Sequence, residues 1–154
     1  METNVYIELR NQLTLYLENK RLRKTEERYT ILERICTFTG HFDICMLYDD
    51  LEKNHFHVSK ATLYNTVNVL VDAGLVVCHC LMGSSAVQYE LRLLAETHLH
   101  LICTKCGAVR ELRNDALKAG WESVKISRFT SDFYCLYVYG ICSKCKYKMQ
   151  RSVK

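Results

Sequence analysis

The chain has 154 residues, of which 49% are hydrophobic and 25% are charged. These proportions are typical of a folded globular protein and exclude extended disorder, collagen-like repeats and low-complexity sequence. The formal net charge of +4 is too small to indicate a polyanionic partner, and residues 1–80 carry 9 basic against 11 acidic side chains while residues 81–154 carry 12 against 6. Any nucleic-acid binding by the N-terminal half must therefore depend on local clusters.

No apolar run approaches the ~20 residues that a membrane-spanning helix requires, so no membrane association is expected. The first residues lack the basic and apolar regions of a secretory signal peptide, and we expect a cytoplasmic protein. Nine cysteines in such a chain favour metal or redox chemistry over a disulfide framework.

Apolar residues at helical spacing predict four helices in the first 75 residues. The first covers residues 4–20 and is predicted to face inward with Ile7, Leu13, Tyr16 and Leu17. The second follows Thr25, whose hydroxyl is expected to cap it, and the third runs from Asp43. The fourth follows Ser59 and ends at Gly74, a residue suited to left-handed backbone. Its inner face is predicted to comprise Ala61, Leu63, Val67, Leu70 and Val71.

Two strand-like runs come next, Leu75–Cys80 and Val87–Leu91, and the Gly-Ser-Ser sequence between them predicts a hairpin. Helices followed by such a hairpin form a winged helix-turn-helix, in which the hairpin is the wing.

Beyond residue 92 the pattern changes to short strands over Leu99–Cys103, Ala108–Leu112 and Phe133–Tyr139, with a helix over Asp115–Ser127. The predicted fold class is α+β: a winged helix-turn-helix DNA-binding domain over residues 1–91 and an α/β dimerisation domain over residues 92–154. A sheet this small has exposed edges. We therefore expect the protein to form a homodimer through this sheet, and a bound metal ion to stabilise the domain.

Two Cys-x-x-Cys pairs supply the metal prediction: Cys103 with Cys106, and Cys142 with Cys145. Each pair can hold one edge of a tetrahedral ion, and soft thiolates favour zinc. The alternative is two separate redox pairs, but a redox pair is expected at a helix start, whereas these flank strands. We predict a structural Zn²⁺ site at the four thiols.

Imidazoles and carboxylates form a second candidate set. His98 and His100 are two residues apart on a predicted strand and project to one face. Glu90 and Glu111 lie on either side of them in sequence, and His41 follows the second helix in the other domain. Such donors suit Fe²⁺, Mn²⁺, Co²⁺ or Zn²⁺, and the alternative is exposed strand histidines and surface glutamates that bind no metal.

The hairpin sequence Cys78-His79-Cys80 is a candidate haem ligand or redox switch, although simple alternation along a strand explains it as well. Cys36 and Cys135 are predicted to be buried apolar residues.

The fourth helix is the predicted recognition helix because its outer face is polar: Ser59, Lys60, Thr62, Tyr64 and Asn65. Asn can read adenine, and Tyr can contact a thymine methyl or a phosphate. The basic run 20–24 includes Arg23 and Lys24 and is expected to reach the backbone or minor groove of a double-stranded DNA operator. In isolation that run would be interpreted as a solvated turn.

These motifs resemble the ferric uptake regulator (Fur) family of metal-dependent repressors over residues 10–148. Residues 22–32 look like its N-terminal signature and residues 59–76 like its recognition helix. Residues 98–107 are similar to its C-terminal fingerprint and residues 139–145 to its closing strand and knuckle.

The resemblance implies a homodimeric, metal-responsive repressor of iron or other metal uptake genes. It implies a structural zinc at the four cysteines and a regulatory Fe²⁺, Mn²⁺ or Zn²⁺ at the hinge, which fixes the dimer for operator binding. The ligands of the regulatory ion would be His41, Glu90, His98, His100 and Glu111.

Three departures from the family pattern bear on function. Asn65 replaces the Arg that usually follows the recognition Tyr, so the operator sequence can differ from that of the family. Glu111 replaces the Asp of peroxide-sensing relatives, which argues against peroxide sensing. The positions of a third family site fall on Thr97, Leu99, Lys118 and Tyr134 and have lost its ligands. The alternatives are a haem- or redox-responsive regulator of the same fold and a metalloenzyme, for which the sequence indicates no substrate cleft.

Overall fold

The structure, a computed structural model, describes residues 2–79, 87–95, 98–131 and 133–151. Its helices are α1 (Glu2–Asn19), α2 (Glu26–Ile35), α3 (Ile44–Lys53), α4 (Lys60–Asp72), α5 (Arg92–Ala95), α6 (Asp115–Glu122) and α7 (Ser143–Arg151). Its strands are β1 (Val76–His79), β2 (Gln88–Leu91), β3 (Leu99–Cys103), β4 (Val109–Leu112) and β5 (Leu136–Gly140).

The chain divides into two compact units. The first contains the described residues up to Arg92, and the second contains those from Leu93 onward. None of the helices in the part of the chain described here combines the length and the apolar character that a bilayer span requires.

The first unit is built around apolar side chains from α1 to α4. Several are completely removed from solvent, among them Leu13, Leu17, Ile31, Leu32, Ile35, Leu47, Leu51, Leu63, Val67 and Leu70. Arg34 of α2 also donates from Nε and Nη2 to the two carboxylate oxygens of Asp50 in α3, at 2.7 and 3.0 Å. This bidentate pair connects α2 to α3. It restricts their relative orientation, because both hydrogen bonds require the guanidinium and the carboxylate to be coplanar.

The termini of α3 and α4 follow the sequence prediction. The Asp43 carboxylate accepts from the Met46 amide at 2.8 Å, and the Ser59 hydroxyl accepts from the Thr62 amide at 3.0 Å. Gly74 closes α4 with a φ of +69°. These caps satisfy amides that the first turn of a helix leaves without internal partners.

Three local predictions for the helices are wrong. Thr25 precedes α2, but its side chain makes no capping hydrogen bond. Hydrogen bonds from the Glu27 backbone amide and from Thr25 instead lower the pKa of the Glu27 carboxyl. On α1, Ile7 is 50% exposed and Leu9 takes the inward position, while on α4 Ala61 is exposed and Thr66 is buried.

The antiparallel pair of β1 and β2 confirms the two strands of the expected wing, and its register determines which side chains share a face. The predicted Gly-Ser-Ser turn between them lies outside the described residues. The strands are antiparallel, with Val77 opposite Glu90 and His79 opposite Gln88. An isolated bridge attaches the loop before α3 to this hairpin, since Phe42 and Tyr89 exchange backbone hydrogen bonds of 2.9 and 2.7 Å.

The second unit contains a three-stranded sheet in the order β4-β3-β5, with β3 antiparallel to β4 and parallel to β5. Two predicted elements are shorter than expected, since β5 begins at Leu136 rather than at 133 and α6 ends at Glu122. Helix α7 was not predicted from the sequence. Apolar side chains on β5 are exposed, including Tyr137, Val138 and Tyr139.

Replacing Leu17 by Ala should lower the free energy of unfolding by about 2–5 kcal/mol, because Leu17 is fully buried and the truncation leaves a cavity in the core of the first unit. Leu15→Ala is the matched control, because Leu15 lies on the same helix and is 60% exposed. Urea unfolding followed by circular dichroism measures both. Equal losses in the two variants would contradict the assignment of the buried face of α1.

Candidate metal centres and nucleic-acid interface

The four thiols of the two Cys-x-x-Cys pairs converge in the second unit. The sulfur atoms of Cys103, Cys106, Cys142 and Cys145 all lie within 4.8 Å of one another, and Cys106 Sγ is 3.8 Å from Cys142 Sγ. A zinc–sulfur bond of about 2.3 Å gives a tetrahedron with edges of about 3.8 Å. The donor set therefore fits a closed, tetrahedral zinc site.

Two turns bring these thiols together. Cys103 ends β3, and the chain reverses through Gly107, whose φ is +70° and whose amide donates to the Cys103 carbonyl at 2.9 Å. Cys142 follows β5, and Cys145 lies in the first turn of α7. The second pair thus does span a helix start, so that part of the argument against redox chemistry is wrong. Convergence of both pairs on one point favours zinc instead.

Backbone amides polarise one of these sulfurs strongly. The Cys142 amide donates to Cys103 Sγ at 3.3 Å. Together with the amides of Cys106 and Lys105, it lowers the pKa of Cys103 to about 6. Hydrogen bonds with the Cys106 and Cys142 thiols raise the pKa of Cys145 to about 12. The tight turn around Cys106 thus directs backbone amides at a thiolate.

The first unit contains its own cluster of metal-ligating side chains. His41 Nε2 is 3.6 Å from Glu90 Oε2, and His79 Nε2 is 3.4 Å from the same oxygen. The two imidazole centroids are 5.1 Å apart. One donor atom from each of the three residues lies within 4.8 Å of the others, and both His79 and Glu90 are fully buried.

Hydrogen bonding and register build this cluster. The Phe42–Tyr89 bridge holds His41, the residue before Phe42, next to Glu90, the residue after Tyr89. Across the hairpin Glu90 is opposite Val77, so His79 is its diagonal neighbour on the same face. His41 and Glu90 were predicted from the sequence as ligands, whereas His79 was not. Side-chain alternation gave a signal, but it required a register that the sequence does not determine.

The remaining members of the predicted regulatory set meet in the second unit. His98 Nε2 is 3.2 Å from His100 Nε2, and one donor of His98 lies within 4.8 Å of a Glu111 oxygen. His100 pairs with Glu111 across β3 and β4 and stacks on Tyr137 at a centroid distance of 5.2 Å. Imidazole nitrogen and carboxylate oxygen are suitable donors for Fe²⁺, Mn²⁺ and Zn²⁺.

The haem or redox alternative at the wing is untested. Cys78 is half-buried, His79 lies in the cluster with Glu90, and Cys80 falls outside the described residues. Cys36 and Cys135 are half-buried rather than buried, and burial raises the pKa of the Cys36 thiol to about 11.

The predicted base-reading side chains occupy the exposed start of α4. Tyr64 is 49% exposed and Asn65 is exposed, whereas the Ser59 and Thr62 hydroxyls lie 2.9 Å apart in the cap. Lys60 Nζ lies over the Tyr48 ring at 5.6 Å from its centroid. Tyr64 and Asn65 are thus the members of this set best placed to contact a base edge.

The basic run before α2 contains two differently placed cations. Arg23 is exposed, and its carbonyl accepts from Arg28 Nη1 at 2.6 Å. Lys24 forms an ion pair with Glu18, which raises the pKa of the ammonium. Arg23 is therefore the better placed of the two to neutralise a phosphate.

The lost third site corresponds to one pocket of the second unit. Leu99, Lys118 and Tyr134 line it together with His98, and Thr97 lies outside the described residues. Lys118 Nζ is 4.0 Å from Glu122 Oε1. A cationic ammonium and an aliphatic wall make this pocket a poor metal site.

Comparison with known proteins assigns the chain to one family. The model of the ferric uptake regulator family matches residues 19–133. The chain belongs to the ferric uptake regulator family. It is therefore a metal-responsive, DNA-binding transcriptional regulator with a winged-helix and an α/β unit, and the expected family, fold class and function are confirmed.

Individual relatives cover most of the chain. A ferric uptake regulation protein of Neisseria meningitidis is 29% identical over 137 residues, which are 88% of this chain and 94% of that protein. A peroxide-responsive repressor of Staphylococcus epidermidis is 26% identical over 129 residues, 81% and 82% of the two chains. The crystal structure of the Vibrio cholerae ferric uptake regulator matches with a TM-score of 0.56 and 29% identity, over 82% of this chain and 96% of that one.

Replacing Cys142 by Ser should release zinc and unfold much of the second unit, because zinc binding contributes ~10 kcal/mol or more to the folding of such sites. Metal analysis measures the bound zinc, circular dichroism measures the folding, and sizing measures the oligomeric state. Cys45→Ser is the control, because Cys45 is exposed on α3 in the first unit. A folded, dimeric, zinc-free Cys142→Ser protein would contradict a structural role.

The protein should hold two metal ions per protomer at saturation, one retained against chelator and one exchangeable. Leu99 offers no donor atom, the Lys118 ammonium repels a cation, and the Tyr134 hydroxyl would have to lose its proton. Metal analysis after anaerobic dialysis against excess Mn²⁺ or Fe²⁺ counts the ions. A third equivalent that disappears in Tyr134→Phe would overturn this count.

Proposed function

We propose that the protein is a homodimeric repressor that binds an operator in double-stranded DNA when an exchangeable divalent ion is bound, and so represses metal uptake genes in the cytoplasm. The observation that carries the proposal is the cluster of His41, His79 and Glu90 inside the winged-helix unit. Its members lie on the loop before α3 and on both strands of the wing. Ligand binding at this point acts directly on the elements that contact DNA.

The regulatory ligands come from both units. We propose that His41 and Glu90 share one ion with His98, His100 and Glu111. Joint coordination would restrict the two units to a smaller set of arrangements and so favour the one that fits DNA. A population shift of this kind requires the ion to bind the DNA-competent state more tightly than the others.

The donor chemistry restricts the identity of the exchangeable ion. Three imidazoles and two carboxylates supply nitrogen and oxygen but no thiolate, a combination suited to Fe²⁺, Mn²⁺ or Zn²⁺. When bound, the ion supplies a positive charge and fixed coordination directions. DNA-binding assays with each metal in turn identify which ion acts as the signal.

In DNA recognition α4 would enter the major groove with Tyr64 and Asn65 at its N-terminal end, as recognition helices do. Asn65 offers an amide that can donate to and accept from adenine. Arg23 would neutralise a phosphate beside the groove. A homodimer formed through the second unit, whose β5 side chains are exposed, would place two recognition helices on two half-sites.

Peroxide is a second candidate signal because the relatives include peroxide-responsive repressors. Glu111, where peroxide-sensing relatives carry Asp, favours the metal itself as the signal. Treatment of the metal-loaded protein with hydrogen peroxide separates the two. Loss of metal-activated DNA binding at peroxide concentrations that leave zinc bound at the four thiols would support peroxide sensing.

Replacing His98 by Ala should leave a folded, zinc-containing dimer whose DNA affinity no longer rises with added metal. The reason is that His98 lies in the regulatory set and outside the thiol site. Fluorescence anisotropy with operator DNA, with and without Mn²⁺, measures the effect. His57→Ala is the control because the His57 side chain is 72% exposed. An unchanged metal response in His98→Ala would contradict the proposal.

Replacing Asn65 by Ala should cost ~1–3 kcal/mol on the operator and relax the preference at one base position. Arg23→Ala is the contrasting variant, because loss of a phosphate contact should weaken all sequences alike and reduce the salt slope by about one. Binding to a set of operators with single substitutions separates these effects. If Asn65→Ala binds every operator as the wild type does, Asn65 does not read a base.

A further inference from the structure

We infer that His79 is a direct ligand of the exchangeable ion, so that the winged-helix unit alone supplies a set of two histidines and one glutamate: His41, His79 and Glu90. The inference rests on the proposed function and adds a ligand to it. It also assigns the stem of the wing to the metal site, because His79 is the last residue of β1.

The distances between donor atoms support His79 as a ligand as strongly as they support His41 and Glu90, the two ligands predicted from the sequence. Its Nε2 is 3.4 Å from Glu90 Oε2, closer than the 3.6 Å that separates His41 Nε2 from that oxygen. Donors of all three residues lie within 4.8 Å of one another, a spacing that a single ion can bridge. His79 and Glu90 are fully buried, so two of the three donors are shielded from solvent.

The donor atoms of these three residues form a set that is known to bind divalent metal ions. Two imidazoles and one carboxylate grouped at one point are the donor set of facial triads that hold Fe²⁺ and related ions while leaving other positions open. Those open positions are available to donors such as His98 and Glu111. The DNA-binding unit can then retain an ion after the ligands of the second unit are removed, although the coupling between units is lost.

A comparison within the chain shows what distinguishes this trio from an ordinary His–Glu contact. His57 Nδ1 is 2.9 Å from Glu52 Oε2, but the pair is exposed, and the metal-ligand groupings in the described part of the chain do not include it. His57 therefore provides a matched control. The alternative role for His79 is positional, as a hydrogen-bonding neighbour that orients Glu90 without touching the ion.

Substitution by cysteine separates these two roles. In His79→Cys, loaded with zinc at the four native thiols and Co²⁺ at the exchangeable site, a thiolate ligand should produce a near-ultraviolet sulfur-to-cobalt charge-transfer band. The wild type and His57→Cys should lack that band. A merely positioning residue would not produce it, so a His79→Cys spectrum identical to that of the wild type would overturn the inference.

Affinity provides the second measurement. Loss of outer-shell partners typically costs 10–100-fold in metal affinity, so loss of a direct ligand in His79→Ala should cost about 100-fold or more for Co²⁺ or Mn²⁺. His57→Ala should bind as the wild type does. Circular dichroism and His79→Gln, which keeps a polar group in the buried position, check that folding is intact. Wild-type affinity in a folded His79→Ala or His79→Gln protein would overturn the inference.

A variant that lacks the second-unit donors tests retention by the winged-helix unit. His98→Ala/His100→Ala/Glu111→Ala should still bind one exchangeable Co²⁺ weakly, and adding His79→Ala should abolish that binding. If the triple variant binds none, the trio does not form a site by itself and the inference fails. Failure of the proposed function would be recognised differently, as full metal binding by the wild type with no change in DNA affinity.

Discussion

The regulatory chemistry of the winged-helix unit depends on one short interaction, the pair of backbone hydrogen bonds between Phe42 and Tyr89. It joins the loop that starts α3 to the strand that forms half of the wing. His41 and Glu90 are the immediate neighbours of the bridged residues, so the bridge holds the backbones of these two residues next to each other. Stacking of the Phe42 and Tyr89 rings, 5.9 Å between centroids, supports the bridge where only one residue pair is hydrogen-bonded.

This arrangement gives metal binding a direct mechanical consequence. Donors on the loop and on both hairpin strands would be held at fixed distances once an ion is bound. The same loop leads into α3, which the Arg34–Asp50 pair connects to α2. In the second unit, an ion bound by the four thiols would likewise hold the ends of β3 and β5 next to the start of α7. The thiol site would stabilise the fold of the second unit, and the site with imidazole and carboxylate ligands would stabilise the DNA-binding arrangement.

Much of the fold was predictable because it is encoded locally. The caps of α3 and α4, Gly74 and the spacing of the cysteines each carry their own signal over a few residues. Long-range contacts were not predictable, because His79 meets Glu90 through the pairing register of β1 and β2, which the sequence does not determine. Thr25 donates to a side chain instead of capping, and α7 lacks a buried apolar stripe that would have marked it.

Small-angle X-ray scattering of the zinc-retaining protein, with and without one equivalent of Mn²⁺ per protomer, tests the central claim most directly. If one exchangeable ion is shared by both units, the metal should narrow the distribution of interatomic distances and reduce the radius of gyration. The same addition to His41→Ala should leave the scattering unchanged. Identical curves for the metal-free and the stoichiometrically loaded wild-type protein would contradict the claim that the ion joins the two units.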